Sequence, residues 1–274
     1  MERIRIEMPG RAVAVESDVP GLLEDLAFFL GGRADGGDPV DLEVRVTSLG
    51  RGDGYQFTTT PPSDLRPPIG IAPRAGIQLG RALRSWFARH SPHYFTLQGA
   101  GVSDGRRGLL MIGDAAREGS PLAAGLVRRG AELHGDGIVL LERYTRQLVP
   151  FSGRMLVHGD DLARLGLRPD DGRPTGEGQT RIVDPTALGG KSGMGAARVE
   201  AVAFPIYSDA SPPSIETLSF GEAIASLAPA ASAPERFGAA GADFIPGLAV
   251  DATCHRVTFG DIHEALDALE SLLR

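Results

Sequence analysis

The chain has 274 residues, 42% of them hydrophobic and 23% charged, with a formal net charge of -7, the balance of an ordinary globular protein. That length allows one large domain or two unequal ones. The charge gives no electrostatic reason to expect nucleic acid or an anionic membrane as partner, and a single cysteine, Cys254, excludes an internal disulfide.

Glu2 to Glu7 alternates polar and apolar residues, and Ala12 to Val15 resumes strand character after the turn at Pro9-Gly10. Asp18 reads as the N-cap of a helix whose stripe, Leu22, Leu23, Leu26, Phe29 and Leu30, ends at Gly31-Gly32. Leu42, Val44 and Val46 alternate as a strand, and Tyr55 to Thr59 reads as another. Residues 1–72 are therefore expected to form a small N-terminal α+β unit, closed by the proline-rich stretch Pro61 to Pro73.

Residues 73–274 are expected to form the main body. Ala75 to His90 reads as a helix, with Leu79, Leu83, Trp86 and Phe87 at i, i+4, i+7 and i+8. Gly76 and Gly80 weaken its first turns by about 1 kcal/mol each relative to alanine. Strands follow at Tyr94 to Val102 and Leu109 to Ile112, then a helix over Pro121 to Arg129 and a strand over Glu132 to Leu141. Shorter strands are read at Gln147 to Val149 and Arg154 to Val157. From 158 to 197 the chain is rich in Gly, Asp, Pro and Arg, with a short apolar helix at Leu162 to Leu167. That is too long for a simple connection, so it reads as an ordered functional flap or a partly mobile segment. A strand at Arg198 to Tyr207, helices at Ser219 to Leu227 and Pro234 to Leu248, a strand at Ala252 to Phe259 and a helix at Asp261 to Leu273 complete the chain. Cys254 lies in that last strand, where a small buried residue is expected. No apolar run reaches the length of a membrane span and no signal-peptide core is visible, so no membrane is expected and the cytoplasm is the expected location.

The stretch that carries chemistry is Gly108 to Val127, GLLMIGDAAREGSPLAAGLV. An apolar strand, a loop opened by glycine and an apolar helix are the layout of a phosphate-binding loop, G-x-x-x-x-G-K-[ST]. Gly113 stands at the first glycine, Glu118 replaces the second, Gly119 replaces the lysine and Ser120 keeps the hydroxyl. Such a loop works because inward backbone N–H groups, a helix N-terminus and the lysine together neutralise phosphate. Glu118 adds a like charge, which at a few ångströms costs on the order of 1–4 kcal/mol. Loss of the lysine adds a comparable term, enough to turn a micromolar nucleotide site into a millimolar one. Arg117 lies two positions early to substitute, and Lys191, the only lysine, stands in the glycine-rich run GGKSGMG from which it could reach in. Ser120 is open to two readings, a helix N-cap or a metal ligand.

Taken in order, the blocks YFTLQGAGVSDGRRGLLMIGDAAREGSPLAAGLVRRGAELHGDGIVLLE, VPFSGRMLV, VDPTALGG, VEAVAFPIYS and CHRVTFGDIHEALDAL resemble the HPr serine kinase/phosphorylase-like proteins. The likeness is to their short members, encoded beside ribosomal peptide-modification genes. It implies an α/β (α+β) fold, a P-loop kinase-like core carrying a small N-terminal unit. In active relatives the strand before the loop bears a histidine, where this chain has Gln98. Their loop reads close to G-P-S-G-S-G-K-S-T, and a pair of aspartates follows the helix; here Asp136 keeps the first and Gly137 replaces the second. By the resemblance Asp136 would hold magnesium or serve as base to the accepting hydroxyl; without its partner, a solvated turn residue is the other reading. His134 is open to a catalytic or a packed role.

The expected function is that of a catalytically degenerate HPr kinase-like protein, a peptide- or protein-binding or scaffold component of a peptide-modification or regulatory pathway. The alternative is an active nucleotide-dependent phosphotransferase acting on Ser or Thr through a remodelled cleft. The candidate catalytic positions are Asp136 and Gln98, and the candidate phosphate-binding positions are Gly113, Arg117, Gly119, Ser120 and Lys191. No metal or cofactor is expected under the first reading; ATP and magnesium, held by Ser120 and Asp136, are expected under the second. A homo-oligomer is compatible with either.

Overall fold

The computed structural model describes residues 1–274 apart from 32, 35–36, 50–53, 67–74, 114–119, 152, 169–170, 176–177 and 209–211, with only the backbone of 33–34. The chain divides into two compact units, Met1–Ser91 with Pro174–Gln179, and Pro92–Arg173 with Thr180–Arg274.

In the first unit β1 (Glu2–Met8) and β2 (Arg11–Ser17) form a hairpin, with Gly10 in the left-handed region at φ 72°. Helix α1 (Leu22–Leu30) and strands β3 (Arg33–Ala34), β4 (Leu42–Ser48) and β5 (Tyr55–Thr60) follow, in the sheet order β3-β1-β2-β4-β5. The register sets Ile6 opposite Val13, Val13 beside Leu42 and Val15 beside Val44, so one face of the sheet is apolar. Asp18 is not the N-cap of α1: Gly21 holds that place at φ 73°, and Asp18 instead accepts the Ser48 N–H at 2.8 Å, tying down the end of β4.

Helix α2 (Ala75–His90) belongs to this unit, so the division falls after it and not at residue 72. The two glycines that weaken α2 as a helix explain the placement. A Cβ on Gly76 would run into the Leu22 carbonyl, and one on Gly80 would lie 2.5 Å from the Phe29 ring. Their spacing of one helical turn opens a groove into which α1 settles.

The second unit begins with β6 (Tyr94–Gln98), β7 (Ala100–Ser103) and β8 (Arg107–Met111), continues through α3 (Ser120–Arg128), and returns in β9 (Glu132–Gly135) and β10 (Ile138–Glu142). The expected strand Tyr94 to Val102 is broken at Gly99 and the expected strand Glu132 to Leu141 is broken at Asp136-Gly137. The breaks are partners: Gly99 N–H donates to the Gly137 carbonyl at 3.3 Å. At this corner both strands leave one sheet for another, β6 and β10 pairing with each other while β7 and β9 join the main sheet.

Next come β11 (Leu148–Val149), β12 (Met155–Val157), α4 (Gly159–Arg164), β13 (Arg173–Pro174), β14 (Arg181–Val183) and β15 (Lys191–Ser192). Helix α4 starts earlier than expected because His158 caps it, accepting from Asp160 N–H. Within 158–197 the described residues form α4, short strands and a 3-10 turn at Pro185–Leu188. Finally β16 (Arg198–Tyr207), β17 (Ser214–Thr217), α5 (Phe220–Leu227), α6 (Ala239–Asp251), β18 (Thr253–Phe259) and α7 (Ile262–Leu273) complete the unit.

The main sheet has the order β15-β9-β7-β8-β16-β18-β17, with β8, β16 and β18 parallel. Both of its faces are covered, as its unbroken apolar strands require. Leu109, Met111, Ala201, Ala203, Val257 and Phe259 face α3 and α7, whereas Leu110, Ile112, Val202, Phe204 and Cys254 face α5 and α6. Gly125 of α3 sits against Leu266 of α7, where a Cβ would lie 2.5 Å from a methyl group. The class is mixed α/β, as expected.

Candidate functional site

Because β9 is antiparallel to β7, and β7 to β8, the strands β8, β9, β16 and β18 all end on one edge of the sheet. In α/β sheets that edge is where ligands bind. Three of the sequence candidates lie there. Gly113 follows β8 and is exposed, Asp136 follows β9, and Ser120 is the first residue of α3.

Ser120 and Asp136 meet directly. Ser120 Oγ donates to Asp136 Oδ1 at 2.6 Å, and the Leu156 N–H donates to Asp136 Oδ2 at 2.9 Å. Asp136 is 3% exposed and Ser120 5%, so Asp136 is no solvated turn residue. Each carboxylate oxygen has a donor from a different element, which is what a buried carboxylate needs. Ser120 lies inside the helix, and its hydroxyl is directed to the acid on the neighbouring strand.

Gln98 pairs with Ile138, two residues beyond Asp136, so the topology brings it to the same corner, with its side chain exposed. Arg117 and Gly119 lie outside the described residues, as does Glu118. Lys191 is not brought to this edge. It pairs with Glu132, the first residue of β9, in register and by a 2.6 Å ion pair. Four residues of extended strand, about 13 Å, separate that position from Asp136, and the ion pair with Glu132 holds the side chain there. As a replacement for the loop lysine, Lys191 is corrected by this register.

His134 is packed. It is 1% exposed, its Nε2 lies 2.8 Å from Ser103 Oγ, and burial lowers its pKa to about 4, against a smaller opposing pull from Glu132. Cys254 is buried as expected, and that burial pushes its thiol up to about 11.

The sequence reading missed a cavity of about 650 Å³ on the same edge, between the N-terminal ends of α3 and α7. Pro121, Leu122, Phe259 and Ile262 supply apolar wall, and Tyr207, Asp161, Arg164 and His263 bring polar groups. Tyr207 and Phe259 close the ends of β16 and β18 as an edge-to-face pair, centroids 5.9 Å apart. Asp261 caps α7 by accepting from His263 and Glu264 N–H groups. Burial raises the Asp161 pKa, with Arg164 pulling the other way from 3.5 Å. The signal available in sequence was positional: aromatic residues at the last place of two apolar strands, one followed at once by Gly260-Asp261 and a helix.

Among the described residues no group of three or more His, Cys, Asp or Glu is placed to hold a metal ion. Ser120 and Asp136 together offer two magnesium-type oxygen ligands at this edge. Among the described residues no helix is long and apolar enough to cross a membrane.

No protein-family model and no curated protein matches this chain. A solved HPr(Ser) kinase/phosphatase from Coxiella burnetii is similar over 65% of this chain and 93% of its own, at 17% identity and a TM-score of 0.35.

Proposed function

We propose that this chain is a catalytically degenerate member of the HPr serine kinase/phosphorylase-like proteins, of the short type encoded beside peptide-modification genes. It works as a peptide- or protein-binding component. The observation that supports this is the state of Asp136: both carboxylate oxygens accept protein hydrogen bonds in a buried site, and the chain's only lysine is held at the other end of β9. The acid closes the start of α3 onto β9 and β12 instead of facing solvent. The cavity beside Pro121, with an aromatic wall and a polar rim, suits an amphipathic side chain presented by a peptide.

Thermal unfolding with millimolar ATP and magnesium tests the loss of the nucleotide site. The expected result is no gain in Tm; a site of micromolar affinity would add more than about 2.7 kcal/mol at a hundredfold excess over Kd. Calorimetry against the peptide or tailoring enzyme encoded alongside tests the binding role, and absence of binding at tens of micromolar overturns it.

One observation favours a second reading, an ATP- and magnesium-dependent phosphotransferase acting on Ser or Thr. A hydroxyl and a carboxylate stand together at a helix N-terminus, the two ligand types a magnesium ion takes there. Phosphate transfer to a serine peptide, abolished by Asp136→Asn, would establish it in place of the first.

A further inference from the structure

The hairpin that joins β10 to β11 turns at the end of its sheet remote from Gln98, and Arg143-Tyr144 forms its tip. The tip is held at several points. Glu142 accepts the Tyr144 and Thr145 N–H groups at 2.8 and 2.6 Å, and the Arg143 N–H donates to the His93 carbonyl at 3.0 Å. Arg146 closes the turn in the left-handed region at φ 55°, uncommon for a long side chain, and pairs with Asp251 of α6 at 2.6 Å.

Beside the tip lies Phe237, buried and stacked on Phe95 of β6 with ring centroids 4.9 Å apart. The Arg143 guanidinium lies over Phe237 at 5.2 Å from the ring centroid and over Tyr144 at 5.5 Å, and the Arg236 guanidinium lies over Phe237 at 4.4 Å. Two cations thus share one aromatic platform and stand within about 10 Å of each other, the Debye length at 0.1 M salt. Among the described residues neither is neutralised by an ion pair. Arg236 donates to the Tyr94 carbonyl at 3.0 Å, while its Nε and Nη1 are buried without a partner. Burial lowers its pKa to about 10, against a smaller opposing pull from Glu235, so it is a cation at neutral pH. Arg143 has its Nε buried without a partner, and its terminal nitrogens meet no acceptor among the described residues. The carboxylates of Glu142 and Asp251 are already engaged, one by the turn and one by Arg146.

We infer that Arg143, Tyr144 and Arg236 form a binding site for a phosphate monoester, apart from the Ser120–Asp136 pair. Arg143 makes the contact, since a guanidinium with terminal N–H groups to offer is a planar fork that takes an oxyanion through two parallel hydrogen bonds. The rings of Tyr144 and Phe237 fix its plane beforehand, so little side-chain freedom is lost on binding. Arg236 adds a second positive charge without touching the ligand. A carboxylate would cancel one charge of the two, whereas a phosphate monoester carries about -1.5 to -2 at pH 7 and three acceptor oxygens. On a chain of net charge -7 the long-range field repels anions, so attraction here is the work of the local cluster.

Phosphorus NMR of inorganic phosphate and of O-phosphoserine, each titrated with the full chain at neutral pH and constant ionic strength, tests the site. Saturable line broadening is expected. Arg143→Gln should weaken binding about tenfold, and Arg143→Lys, which keeps the charge and loses the fork, should fall between the two. Tyr144→Ala should weaken it through the freed guanidinium, whereas Arg106→Gln, which removes an equal charge from an exposed turn, should leave it unchanged. Tighter binding of O-phosphoserine places the phosphoryl group on a side chain and tighter binding of phosphate places it on a free ion; both uphold the site. The inference is overturned if neither ligand broadens, or if broadening survives Arg143→Gln. Should that variant not fold, broadening unchanged in both Arg143→Lys and Tyr144→Ala overturns it instead. Displacement by chloride at equal concentration marks an adventitious ion only and overturns it too.

Discussion

Ser120 and Asp136, sixteen residues apart in sequence, share a 2.6 Å hydrogen bond at the start of α3. The pair joins the two positions at which a nucleotide-binding chain would place its metal ligands, and it does so in a buried site closed by Leu156 N–H. Ser120→Ala should therefore act on stability: removing the donor leaves a buried charge short of a partner and costs about 1.5–3 kcal/mol. Urea unfolding of the two proteins reads this directly. A change below about 0.5 kcal/mol would show that the carboxylate is satisfied without Ser120.

Gly76→Ala in α2 should destabilise, although alanine is the better helix former by about 1 kcal/mol. The added methyl collides with the Leu22 carbonyl and closes on Asp25 Cβ at 2.9 Å. Separating α1 from α2 at this point is expected to cost about 1–3 kcal/mol net. A lowered urea midpoint with unchanged slope checks it, and a raised midpoint refutes the close approach.

Global stability should carry the signature of His134. Its pKa is near 6.5 unfolded and about 4 folded, so above pH 6.5 the ring is neutral in both states and contributes nothing. As pH falls from 6.5 towards 4 the unfolded chain binds the proton first, and stability drops by up to about 3 kcal/mol. Below pH 4 the loss levels off. Unfolding free energies of the parent and His134→Gln, compared at pH 7 and pH 4.5, should diverge by most of that amount at the lower pH.

Cys254 should be chemically silent in the folded protein. Its thiol is buried between sheet and helices and is pushed up to about 11, so little thiolate exists at pH 8 and no reagent reaches it. A disulfide reagent at pH 8 is expected to titrate no thiol natively and one in denaturant; rapid native labelling would contradict the packing of β18.

Periodicity made most of this fold legible. The alternation of β1 and β4, the stripe of α2 and the order strand, loop, helix, strand around α3 are local patterns that survive folding unchanged. What it missed depended on long-range pairing. Glu132 to Leu141 reads as one strand because Asp136-Gly137 lies between two apolar runs, and nothing nearby reveals that Gly99 bends in concert with it. Gly76 and Gly80 register in sequence only as a helical cost; their use, admitting α1, is visible once α1 is in place. β17, in a polar stretch after Tyr207, has every residue exposed and owes its form to pairing with β18 alone.

The candidate site was legible in part. Loop and acid could be placed at neighbouring strand ends, but burial of Asp136 could not be foreseen, since Leu156 N–H arrives from a strand twenty residues away. Lys191 shows the converse: its glycine-rich surroundings suggested reach, and the register on Glu132 fixes it elsewhere.

The corner at Gly137 bears on which residues this position can accept. Gly137 has φ 75°, and its carbonyl receives the Gly99 N–H that holds two bent strands together. An aspartate placed at 137 would have to adopt that left-handed conformation, at about 1 kcal/mol, although no atom lies within 4 Å of where its Cβ would go. Substitution of Gly137 by any L-residue is uphill in conformation alone. The corner that joins β6 and β10 to β7 and β9 therefore selects glycine at this position for its backbone, independently of any chemistry at Asp136.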